Sequence, residues 1–352
     1  MRRRAVLAML AAAALVISLS APAAAKVRII GLPTFALPSP VHGCSSATAL
    51  GAATQVPIKV SRVGTQVAET VNVCLHGKGP FPFVIDTGAA SSVIDTGLAR
   101  RLGLPAAGSQ QGITGVGCVG SAAPKRTGTW SVAGFALRPQ TISASTIPGL
   151  GGRGEPLGLL GSDVFSRFGA IRVDFAAGTL TFPGPEGPSF TSVNQVNGPG
   201  SAATPPSLLS TPSAGTAPLD VLDGPGFAVA IARVTFGSHT EPFAVDTGSS
   251  QSVVNRSTGR QIGLAPTNVL ERQTTVCSTI TLPLVQTGAW WLVGSPAGTA
   301  SALALQPLVL CSTGLGRVDQ LGFTGLLGSD QLVHFGWVVL DYRNGRLVLG
   351  DG

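Results

Sequence analysis

Phe81-Pro82-Phe83-Val84-Ile85-Asp86-Thr87-Gly88-Ala89-Ala90-Ser91-Ser92-Val93 is the stretch on which the reading turns, because the chain repeats it. It returns as Glu241-Pro242-Phe243-Ala244-Val245-Asp246-Thr247-Gly248-Ser249-Ser250-Gln251-Ser252-Val253. Asp86 and Asp246 are 160 residues apart, and Ser92/Ser252, Gly103/Gly263, Thr127/Thr287 and Trp130/Trp290 keep that offset. A second block follows at offset 167: Gly158-Leu159-Leu160-Gly161-Ser162-Asp163 returns as Gly325-Leu326-Leu327-Gly328-Ser329-Asp330, and Asp174 pairs with Asp341. The step from 160 to 167 is a net insertion of seven residues in the second copy. An ordered series of this kind marks an internal duplication. The tripeptide alone is weak: Asp95-Thr96-Gly97 is a third copy with no counterpart in the second half, and it reads as a helix cap.

Working outward, a Pro/Gly/Ser/Thr-rich stretch at 184–217 separates the copies and reads as an extended linker. The first unit then spans 45–183 and the second 218–352. Residues 1–25 read as a signal peptide: Arg2, Arg3 and Arg4, an apolar run, then Ala23-Ala24-Ala25. Residues 26–44 are an N-terminal extension or a short pro-segment. Export to the periplasm or the medium is expected, with no stable membrane insertion after the signal is cut.

The 352 residues are 11% charged and 44% hydrophobic, with 47 Gly and 26 Pro. That balance favours many short strands joined by turns over a helical bundle. The runs Gln55–Val60 and Val67–Leu75 read as strands, and 173–182 and 339–349 as hairpins. Short helices are expected after Ser92 and after each Gly-Ser-Asp, whose Ser or Asp reads as an N-cap. The formal charge of +7 falls by three when the three leading arginines are removed, and the rest are scattered singly. No nucleic-acid track is visible.

Five cysteines (Cys44, Cys74, Cys118, Cys277, Cys311) and four histidines show neither a Cys-x-x-Cys nor a zinc-type spacing. Neither a metal nor a cofactor is expected. Two disulfides suit an exported chain, with Cys277–Cys311 the first candidate pair.

Two copies of apolar-apolar-Asp-Thr-Gly-[Ala/Ser], each followed by apolar-Leu-Gly, resemble the retropepsin-like and pepsin-like aspartic proteases, in a bacterial two-lobed single chain. The resemblance implies an all-β bilobal fold with the active site between pseudo-twofold related lobes. It implies a dyad of Asp86 and Asp246 sharing one proton and activating a water. Thr87 and Thr247 would hydrogen-bond across the interface, and Gly88 and Gly248 would let backbone approach the carboxylates. Leu160-Gly161 and Leu327-Gly328 would supply the strand beside each loop. Ser249 would bond the outer carboxylate oxygen where Ala89 cannot, so the pH optimum is expected to be acidic but less extreme than pepsin's. Gly112–Gly117 looks like a retropepsin flap, and core packing is the preferred reading of Trp130 and Trp290.

The expected function is a secreted, monomeric aspartic endopeptidase acting on polypeptides, with hydrophobic residues around the scissile bond. A Ser hydrolase is disfavoured, since no Gly-x-Ser-x-Gly occurs. The rival is a catalytically silent, protease-shaped binding protein.

Overall fold

The computed structural model describes residues 44, 54–152, 155–184, 208, 213–224, 227–296, 304–305, 309–315 and 320–350. The expected signal peptide and most of the expected extension and linker lie outside these. No helix among the described residues is long and apolar enough to cross a membrane.

Two β lobes repeat one topology. In the first, strand Lys78–Asp86 pairs antiparallel with Gln66–Leu75 and parallel with Gly158–Gly161. Gly158–Gly161 pairs antiparallel with Val93–Asp95, which runs parallel to Thr141–Ser145. In the second, His239–Asp246 pairs with Phe227–Phe236 and with Gly325–Gly328, which pairs with Val253–Asn255, itself parallel to Val309–Thr313.

The strands that end in the Asp-Thr-Gly loops are central. Their last residues are buried on both faces, so Phe83-Val84-Ile85 and Phe243-Ala244-Val245 read as unbroken apolar runs rather than alternating ones. Gly158 and Gly325 open the partner strands because a Cβ there would overlap the rings of Phe83 and Phe243.

A third sheet joins the lobes. Its middle pair is Ala170–Asp174 against Trp337–Asp341, antiparallel, with Ala170 opposite Asp341 and Asp174 opposite Trp337. These strands are themselves copies, so the pseudo-twofold axis passes between them. Thr179–Phe182 and Arg346–Gly350 extend the sheet on either side, closing the two hairpins expected from sequence. Strand Ser213–Gly224 adds to Arg346–Gly350, so residues 213–217, assigned to the linker on sequence, are part of this sheet. The largest apolar cluster runs through both lobes. Trp130 and Trp290 are 4% and 1% exposed, which is core packing.

Two sequence expectations are corrected. The helices Ser162–Phe165 and Ser329–Leu332 start after Gly161 and Gly328, and no side chain caps them; Ser162, Asp163, Ser329 and Asp330 bond elsewhere. Asp95 does cap its helix, accepting from the Leu98 N–H at 2.8 Å. Cys277 pairs with Cys118, not Cys311, and Cys44 pairs with Cys74. Cys277 sits in the tight turn between strands Ala265–Thr274 and Thr279–Gln286, whereas Cys311 lies opposite Leu284 near that hairpin's base. Hairpin geometry sends Cys277 toward the other lobe.

Candidate active site

Each Asp-Thr-Gly loop leaves a central strand at its buried end and is gripped from three sides. In the first lobe, Ser92 donates its N–H and O–H to Asp163 Oδ1 at 2.9 and 2.7 Å and accepts from the Gly161 N–H at 2.9 Å. In the second, Ser252 donates to Asp330 Oδ1 at 2.9 and 2.6 Å and accepts from Gly328 N–H at 2.9 Å. The sequence offers Ser162 or Asp163, and Ser329 or Asp330, as helix caps. The real task of Asp163 and Asp330 is to anchor the return of each loop. The recurrence of the Ser at offset 160 and of the Asp at offset 167 was the available signal.

The lobes meet through the threonines. Thr87 donates its hydroxyl to the Val245 carbonyl at 2.9 Å and accepts from the Thr247 N–H at 3.0 Å. Thr247 donates to the Ile85 carbonyl at 2.7 Å and accepts from the Thr87 N–H at 3.1 Å. All four groups are buried and each is satisfied only by the opposite lobe. Four crossed bonds fix the two loops against each other in position and angle.

That crossing brings Asp86 and Asp246 into mutual hydrogen-bonding contact. A Cβ on Gly88 would overlap the Asp246 carboxyl, and one on Gly248 the Asp86 carboxyl. Only glycine fits at either place. The carboxyls also accept backbone N–H bonds: Asp86 Oδ1 from Ala89 at 2.8 Å, Asp246 Oδ1 from Gly248 and Ser249 at 2.9 and 3.1 Å.

Residues 71–164 match the family model for aspartyl protease. The chain is similar to the aspartyl proteases. Two solved structures show similarity to the chain. That of edgp has 12% identity and a TM-score of 0.44, covering 87% of this chain and 96% of that one. That of basic 7S globulin from soybean has 12% identity and a TM-score of 0.43, covering 85% and 96%. No curated protein matches the chain.

Within this arrangement, burial sets the electrostatics. Asp86 and Asp246 are only 8% and 9% exposed. Loss of solvation raises both carboxyls above their ordinary range, and for Asp86 the neighbouring Asp246 charge adds to it. Two such groups in contact hold one proton between them. The Ser249 hydroxyl does not join in. It donates to the Gln251 carbonyl at 2.7 Å, and only the Ser249 N–H reaches the carboxylate. Its counterpart Ala89 gives the same N–H bond, so the Ala/Ser difference does not reach the carboxylates through a hydroxyl.

Two hairpins reach from one lobe to the other. Gln111–Gly115 and Cys118–Arg126 form the first, with the glycine-rich stretch expected as a flap at its tip. Ala265–Thr274 and Thr279–Gln286 form the second. Val116 and Val276, 160 residues apart, occupy equivalent tips. A cavity of about 290 Å³ adjoins the first hairpin, lined by Thr96, Gly120, Ser145, Thr146, Val276 and Cys277; it lies beside the bridge, not at the carboxyls.

Proposed function

We propose that the protein is an exported aspartic endopeptidase. The observation that carries this reading is the pair of buried carboxyls, Asp86 and Asp246, in hydrogen-bonding contact through four crossed threonine bonds.

The chemistry follows from one proton shared by two acids. The ionised carboxylate takes a proton from water as its oxygen adds to the peptide carbonyl carbon. The protonated partner donates to the carbonyl oxygen, giving a tetrahedral diol. Collapse breaks the C–N bond as the nitrogen gains a proton from the dyad and a diol hydroxyl returns one to it, so the dyad ends with its single proton restored. Acid and base belong to the pair, since either Asp can carry the proton. Thr87, Thr247, Gly88 and Gly248 position the carboxyls.

Buried carboxyls keep the one-proton state to higher pH than exposed ones. The expected optimum is acidic, and its upper limb lies above the ordinary carboxylate range. Burial supports that expectation; the Ser249 hydroxyl does not contribute. Polypeptides are the proposed substrates, with apolar side chains flanking the bond. Two disulfides fit an oxidising compartment, and the N-terminal sequence supports export.

Digestion of denatured casein across pH 3 to 7 by wild type, Asp86→Asn and Asp246→Asn tests the reading. Wild type should cut and both variants should lose at least about 100-fold, the usual scale for a lost acid–base group. Equal turnover by all three refutes the dyad. Peptide binding without cleavage at any pH would support the binding-protein alternative.

A further inference from the structure

The space above the carboxyls is bounded by a closed circuit of chain. One arm runs from the Asp86 loop to the hairpin Gln111–Arg126, and the other from the Asp246 loop to the hairpin Ala265–Gln286. The Cys118–Cys277 disulfide joins the two tips. The crossed threonines join the two loops beneath.

The tips also exchange places. Val116, from the first hairpin, packs in the apolar cluster that holds Val253, Leu282 and Leu326 of the second lobe, together with Ala90 beside the Asp86 loop. Val276, from the second hairpin, packs with Val84, Val93 and Leu159 of the first lobe. Cys118 Sγ lies 3.0 Å from Thr275 Oγ1. A side chain on Gly115 would overlap Val276. Each tip therefore rests on the wall opposite its own lobe.

Three motions could uncover the carboxyls. Parting the lobes breaks the threonine network that sets the dyad. Parting the tips breaks a covalent bond. Arching both hairpins upward with the tips still joined gives up the partly buried contacts of Ile113, Val116 and Val276 and the Gln66–Glu271 and Gln273–Gln251 hydrogen bonds, and hairpin motions of this size occur on microsecond to millisecond timescales. Only the third keeps both the dyad and the bridge. Throughout it the circuit stays closed.

We infer that the Cys118–Cys277 bridge makes the cleft a ring, so that a polypeptide reaches Asp86 and Asp246 only by threading end-first. This rests on the peptidase reading and narrows its substrate class. Unfolded chains with a free terminus qualify. Head-to-tail cyclic peptides and internal loops of folded proteins do not. A dithiol opens the ring by exchange: its two thiols become a disulfide as Cys118 and Cys277 become thiols.

The test uses one peptide sequence in linear and head-to-tail cyclic form. Binding is read by fluorescence anisotropy and cleavage by mass spectrometry. Three proteins are compared: the bridged wild type, the Cys118→Ser/Cys277→Ser double variant, and wild type reduced with dithiothreitol, in case the double variant folds poorly. The bridged protein should favour the linear form by at least about tenfold, and both opened forms should lose most of that preference. Equal handling of the two peptides by the bridged protein overturns the ring. So does a bridged protein that takes neither peptide while the opened forms take both, since the bridge is then a plug. Selective binding of the linear peptide with no cutting in any form keeps the ring and refutes the peptidase. No binding and no cutting in any form overturns both.

Discussion

Glu69 of the first lobe and Ser329 of the second are joined across the interface. The Ser329 hydroxyl lies 2.8 Å from Glu69 Oε2 and 3.0 Å from the carbonyl oxygen of Thr247, inside the second Asp-Thr-Gly loop. One hydroxyl carries one proton. Both contacts are met together when Glu69 is protonated and donates to Ser329, which donates onward to Thr247. Burial agrees: Glu69 is fully inaccessible, and desolvation raises its carboxyl from 4.5 to about 8, against the lowering effect of Ser329. By strand register its equivalent is Ala230, so this proton lies on one side of the pseudo-twofold only.

Stability should therefore fall as pH rises. A carboxyl whose folded pKa is about 8 and whose unfolded value is 4.5 stabilises fully below 4.5, and that contribution is lost as pH rises through 8. The slope is at most about 1.4 kcal/mol per pH unit for one proton. Urea unfolding at pH 5 and pH 8 should show wild type losing stability, and Glu69→Gln, which keeps the shape without the titration, losing clearly less. An identical pH profile for the two proteins would show that Glu69 is charged in the fold.

Ser92→Ala and Ser252→Ala should each steepen a separate, lower step. Burial raises Asp163 and Asp330 to about 6, with the Ser92 and Ser252 bonds opposing it. Raised carboxyls lose their stabilising effect as pH climbs through that value. Removing the hydroxyl deletes a donor that favours ionisation and leaves Gly161 N–H or Gly328 N–H without its acceptor. The expected cost is about 1–3 kcal/mol, larger at pH 7 than at pH 5, measured by chemical denaturation. A cost that does not depend on pH would place the titration elsewhere.

Thr87→Val and Thr247→Val keep side-chain volume but orphan one buried carbonyl and one buried N–H each. About 1–3 kcal/mol per unsatisfied group is the expected scale. The double variant should lose less than the sum, because the two hydroxyls serve one network. If the peptidase reading holds, turnover falls in each single variant while peptide binding changes little. Additive losses would mean that the two threonines act independently.

Gly88→Ala and Gly248→Ala put a methyl where the opposite carboxyl sits. Each should abolish turnover while leaving far-ultraviolet circular dichroism close to wild type. The strain falls where the loops approach each other, outside the lobe cores. Full activity in either variant would show that the carboxyls stand further apart than described.

The duplication was legible because its marks are local. Paired Asp-Thr-Gly and Gly-Leu-Leu-Gly blocks, the turns at glycines, the two hairpins and the buried tryptophans are all set by residue type and spacing over a few positions. The partners of Ser92 and Ser252 were harder. Asp163 and Asp330 lie 71 and 78 residues on, and a Gly-Ser-Asp triplet before a short helix looks the same whether it caps or anchors. Glu69 was missed because a single glutamate in a strand carries no periodic signal.

By itself the sequence determined that there are two copies, that each offers one acid on a glycine-flanked loop, and that the chain is a mainly β protein. The tertiary structure alone decided which groups meet: Cys118 with Cys277 rather than Cys277 with Cys311, the Ser249 hydroxyl with Gln251 rather than a carboxylate, and Glu69 with Ser329. The cysteine and Glu69 pairings depend on how one lobe docks on the other, whereas the Ser249 bond depends on how its own loop is folded. Docking is set by buried groups that are satisfied only across the interface, and spacing within one lobe holds no information about them.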